Sequence, residues 1–78
     1  MKELIEQIAI RLVDYPEQVS VTEVEDENST VLELRVAKSD LGKVIGKEGR
    51  IAKAMRVLLG AATTSHGQKK CTLEIVED

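Results

Sequence analysis

Two glycines three positions apart, Gly46 and Gly49, interrupt a stretch whose apolar residues otherwise recur at helical spacing. Glycine lets a backbone turn tightly and lets another backbone approach with no Cβ in the way. The segment Val44-Ile45-Gly46-Lys47-Glu48-Gly49-Arg50 therefore predicts two helices joined by a short turn. The first runs from Ser39, its expected N-cap, to about Ile45, with Asp40 in its opening turn. The second runs from about Arg50 to Thr63. A helix that starts after such a turn presents unpaired N–H groups and the positive end of its dipole. A phosphodiester backbone laid across it would meet those donors together with Lys47 and Arg50. The tetrapeptide alone is common, and an ordinary helical connection is the bland alternative. Its surroundings decide between them.

Upstream, Leu4, Ile5, Ile8, Ala9, Leu12 and Val13 recur at helical spacing, so residues 2–14 read as an amphipathic helix. Pro16 stops it, because the residue before a proline is pushed out of helical geometry. Residues 18–25 alternate as a strand, but Val19 and Val21 are out of phase with Val24, which suggests a bulge or a frayed end. Asp26 to Ser29 make a polar turn. Leu32, Leu34 and Val36 then alternate with Glu33 and Arg35, completing a hairpin. Thr64 to Gln68 read as a loop. Cys71, Leu73 and Ile75 alternate with Thr72, Glu74 and Val76 as a last strand. The order α-β-β-α-α-β, with no repeat or linker, predicts one α+β domain over residues 1–78. A three-stranded sheet would be covered by helices on one face.

Charge is segregated along this order. Residues 14–34 carry seven acids and no base, whereas residues 35–70 carry nine bases against Asp40 and Glu48. The net charge of −3 therefore conceals a strongly basic block around the turn, the footprint of a polyanion site. The bland reading is a solvated helix face. Tyr15 is the sole aromatic, so modules that hold nucleic acid by stacking bases on aromatic platforms are nearly excluded.

Other chemistries fail on residue type or spacing. Cys71 has no partner for an intrachain disulfide, which favours a reducing, cytoplasmic compartment. One Cys and one His are too few for a structural zinc site, and no cofactor is implied. The first fourteen residues are too charged for a signal-peptide core and too short for a membrane span. Gly42-x3-Gly46-Lys47 is one residue short of a P-loop and is followed by Glu48. His66 has no acid or nucleophile set beside it and reads as a surface loop residue. Cys71 reads as core. No catalytic group emerges.

The turn, its flanking helices and the hairpin before it resemble a KH domain of the prokaryotic (type II) arrangement. The whole chain, and above all Leu41-Gly42-Lys43-Val44-Ile45-Gly46-Lys47-Glu48-Gly49-Arg50-Ile51-Ala52-Lys53-Ala54, is similar to the small stand-alone KH proteins of the bacterial KhpA family. The resemblance implies binding of single-stranded RNA, about four nucleotides being clamped between the turn and a groove of aliphatic side chains. By the same resemblance, Gly46, Lys47, Glu48 and Gly49 would meet the sugar–phosphate backbone. Gly42, Lys43, Ile45 and Arg50 would border the groove, and Lys53 and Arg56 would extend its charge. Glu48 stands where KH domains often carry a basic or small residue and is expected to weaken phosphate affinity.

On the long helix, Ile51, Met55, Leu58 and Ala62 centre on one direction, flanked by Ala52 and Leu59, and are the expected core face. A second stripe of Ala54, Val57, Gly60, Ala61 and Thr64 remains outside it and is expected to carry a symmetric dimer. The family resemblance also implies self-association and pairing with a larger KH protein of the KhpB (EloR/Jag) kind. It further implies RNA-chaperone or post-transcriptional roles and a link to cell-envelope growth and cell shape. A protein–protein adapter with a vestigial KH turn is the alternative from another class.

Overall fold

A computed structural model describes residues 2–66 and 70–77. Helix α1 spans Lys2–Leu12, strands β1 and β2 span Ser20–Glu25 and Ser29–Arg35, and a short helix α2 spans Leu41–Ile45. Helix α3 spans Arg50–His66 and strand β3 spans Lys70–Ile75. The predicted order holds throughout.

The sheet order is β1-β2-β3, with β1 and β2 antiparallel and β2 and β3 parallel. Parallel neighbours need a crossover, and the α2–turn–α3 unit is that crossover. It lays both helices against one face of the sheet and leaves β3 as an edge strand beside α3. Asp26 closes the hairpin. Its Oδ1 accepts the N–H groups of Asn28 at 2.9 Å and Ser29 at 2.8 Å, an Asx turn.

The core lies between this face and the helices. Ile5 and Ala9 come from α1, Val21, Leu32, Leu34, Cys71 and Leu73 from the sheet, and Val44, Met55 and Leu59 from α2 and α3. No aromatic ring takes part. Each fully buried Leu or Ile here contributes about 1.5–3 kcal/mol, so the fold rests on many aliphatic contacts of similar size.

Four expectations need correction. The strand over residues 18–25 begins at Ser20 and contains no bulge; Val24 pairs in register with Val31 and faces the open side of the sheet. Its phase differs because Val24 lies on the open face, whereas Val19 and Val21 face the core. Ser39 does not cap α2. Asp40 occupies the cap position, fully buried, and its carboxylate is turned away from the helix. Helix α3 runs three residues past Thr63 to His66, so Thr64–His66 of the expected loop are helical; residues 67–69 lie outside the described residues.

The fourth concerns the phase of α3. Its buried residues are Ala52, Met55 and Leu59, whereas Leu58 is 48% exposed. The core direction is rotated by about 70° from the expected one, at 100° per residue. Apolar side chains occupy most of this helix's circumference, so periodicity alone fixes the phase poorly.

Candidate nucleic-acid interface

Helix α2 ends at Gly46, whose N–H donates to the Gly42 carbonyl at 2.9 Å. Gly46 has φ of 77°, and a Cβ added there would sit 2.7 Å from Ile51 Cγ1. No other residue fits without moving the start of α3. Gly49 has φ of 74°, and Glu48 between them also lies in the left-handed region, at φ 58° and ψ 24°. A non-glycine residue there is strained by about 1–2 kcal/mol. The three left-handed residues fold the chain back within four positions and deliver it directly into α3. The turn is thereby flat, glycine-lined and set against the positive end of a 17-residue helix.

A groove of about 490 Å³ runs from this turn along α3 to the edge of β3. Ile45, Ala52, Leu73 and Ile75 give it an aliphatic lining, which Val31 extends around the sheet's edge. Lys53 and Arg56 stand on the helical wall, and Thr72, Glu74 and Glu77 on the strand wall. Arg56 Nε–H donates to the Leu73 carbonyl across the two walls at 3.3 Å. Along β3 successive residues alternate in which side their amides address. The Val76 N–H donates to Leu34 in β2 at 2.9 Å, so Leu73, of the opposite parity, turns its peptide groups to the free edge.

Lys47 and Lys53 are exposed and, among the described residues, enter no ion pair. Arg50 lies 3.8 Å from the Glu48 carboxylate, an exposed contact of little energetic weight. Glu48 therefore shares the turn's charge with a neighbouring arginine. Lys43 is occupied elsewhere. Its ammonium is hydrogen-bonded to Asp14 and lies 3.6 Å from Asp40, and the Asp14 hydrogen bond raises its pKa above the usual lysine value. Asp40 in turn accepts the N–H groups of Asp14 at 3.2 Å and Tyr15 at 3.1 Å. Both amides lie just past the end of α1, where the chain has left the helix, so one buried carboxylate ties that segment to the start of α2.

Of the residues expected at the site, Ile45, Gly49, Lys53 and Arg56 line the groove, and Gly46, Lys47, Glu48 and Arg50 form its turn. Gly42 and Lys43 do not line it. Lys53 and Arg56, expected to extend the groove's charge, both line it. The β3 wall is not legible in the residues, since no sequence signal says which strand forms an edge. Ala54, Val57, Gly60 and Ala61 are exposed, Val57 by 70%, and Leu58 joins them; the Thr64 side chain lies outside the described ones.

Burial raises the Cys71 thiol pKa, the opposite of what a nucleophile needs. Among the described residues no cluster of three His, Cys, Asp or Glu could hold a metal ion. No helix among them is long and apolar enough to cross a membrane.

A three-stranded mixed sheet with a Gly-x-x-Gly turn between two helices on one face defines a KH domain. The family model for the KhpA/KhpB KH domain matches residues 2–75, and the chain belongs to that family. Proteins named RNA-binding protein KhpA are similar along the whole chain. That of Clostridium perfringens is 55% identical over 76 residues, covering 97% of this chain and 100% of the relative. That of Clostridium acetobutylicum is 53% identical with the same coverage. That of Aquifex aeolicus is 49% identical over 77 residues, covering 99% of this chain and 96% of the relative. These relatives are named for binding, and the family is not one of enzymes. A crystal structure of Aquifex aeolicus Era bound to GDP·AlF4− has a TM-score of 0.64 at 18% identity, covering 99% of this chain and 31% of that one. That likeness is one of fold.

Proposed function

We propose that this protein binds single-stranded RNA through the Gly46–Gly49 turn and the adjoining aliphatic groove, as one non-catalytic KH domain. The observation that carries the reading is the continuity of the two. A turn that only glycine permits at Gly46 opens onto a 490 Å³ aliphatic groove with unpaired Lys47 and Lys53 at its margin. The sugar–phosphate backbone would follow the turn and the lysines, and the bases would enter the groove. The glutamates at Glu74 and Glu77 on the opposite wall repel phosphate and so fix that orientation.

Replacing Lys47 and Glu48 together by Asp should reduce RNA affinity by more than tenfold while leaving the helical circular-dichroism signal unchanged. The affinity of the parent protein should fall with salt by a log–log slope of about −0.7 per neutralised phosphate. Unchanged affinity in the double variant would remove the turn from the site.

Two further parts belong to the same reading. The exposed stripe of Ala54, Val57, Gly60, Ala61 and Thr64, widened by Leu58, would carry a symmetric homodimer or a heterodimer with a larger KhpB-type KH protein. The protein would act in the cytoplasm in post-transcriptional control or as an RNA chaperone, linked to cell-envelope growth and cell shape. The adapter reading is favoured by one observation, the Glu48 carboxylate in the turn. It predicts partner binding with RNA affinity too weak to depend on Lys47.

A further inference from the structure

Nucleic-acid sites usually stack at least one base on a planar side chain, and this chain has no aromatic available in its groove: Tyr15 is the sole aromatic and does not line it. A guanidinium is also planar and also stacks on bases. Among the groove-lining residues Arg56 is the one cationic planar group. Its plane is not free to tumble, because Nε–H is held by the Leu73 carbonyl at the edge of β3. Anchoring through Nε restrains the head about its long stem, while the side chain as a whole stays exposed. Among the described residues Arg56 makes no ion pair, although Glu74 and Glu77 line the same groove. Lys53, one helical turn earlier, has no such anchor and no plane.

We propose that Arg56 is the base-stacking platform of the groove, a specificity-determining residue whose orientation is set by the β3 edge. This rests on the RNA-binding reading above and deepens it. Phosphates run on the side of Lys47 and Lys53, away from the two glutamates. Arg56 lies toward the strand wall, where a base is favoured over a phosphate. The role asks for a flat cation, so lysine is no substitute despite keeping the charge.

A chemical double-mutant cycle tests it. Short single-stranded oligoribonucleotides carrying one abasic nucleotide, moved through each position in turn, are titrated against the parent protein and against Arg56→Lys. At one position, loss of the base should weaken binding to the parent on the order of tenfold, the size expected of one stacked base. At that same position it should weaken binding to Arg56→Lys hardly at all. The salt slope should be the same for both proteins, because no phosphate contact is lost. Arg56→Ala, with its stronger helix propensity, gives a second cycle in which a folding defect of the lysine variant plays no part. Additive losses at every position, or wild-type affinity in Arg56→Lys, would overturn the proposal while leaving RNA binding standing. Absence of RNA binding by the parent protein would overturn both.

Discussion

The two exposed sides of α3 are built on opposite plans. Toward the groove, the backbone and one cation are held: a Cβ at Gly46 would meet Ile51, Arg56 is anchored on Leu73, and Asp40 fastens α2 to the segment after α1. Away from it, Ala54, Val57, Leu58 and Ala61 are exposed, and among the described residues nothing stands within 4 Å of where a Cβ on Gly60 would be. A side with fixed backbone and anchored charge suits a ligand whose geometry is given in advance, such as a phosphodiester chain. A smooth side of small and aliphatic groups suits a protein surface that brings its own shape. One helix separates the two, so a partner on the stripe and RNA in the groove need not compete.

The same substitution on the two sides breaks or sharpens this contrast most strongly. Gly46→Ala forces a Cβ into Ile51 at a left-handed φ and should lower stability by about 3 kcal/mol in urea titrations. RNA binding should fall with it. Gly60→Ala, in an open helical position, should instead raise stability by about 1 kcal/mol. If both substitutions destabilise, Gly60 is not as open as its surroundings indicate. Ala61→Glu should change stability by less than about 0.5 kcal/mol, the usual range for an exposed site, while halving the mass seen by light scattering. An unchanged dimer mass in that variant, or a parent protein that is monomeric throughout, would remove the stripe as the dimer interface.

Much of this was legible in the residues. Alternation marks β2 and β3 because both bury one face cleanly, and Pro16 marks the break after α1, although the helix ends at Leu12, two residues short of the expected span. The Gly46–Gly49 turn was legible because its chemistry is local. What periodicity did not settle was anything determined by a distant neighbour. Val24 looked out of phase because its partner Val31 also faces outward. Leu58 was placed in the core because a helix apolar on most sides carries no unique phase. Asp40 looked like a helix-opening acid, yet its carboxylate serves amides 25 and 26 residues away. Lys43 looked available for RNA because nothing in the sequence brings Asp14 to it.

The central claim is that RNA occupies the groove side of α3 and spares the other. Amide chemical-shift mapping during titration with a short single-stranded oligoribonucleotide tests it most directly. The account predicts shifts concentrated at Gly46–Lys53 and at Leu73–Ile75, with Val57, Leu58 and Ala61 unmoved. Shifts concentrated at Val57–Ala61, or a turn that does not respond, would contradict it.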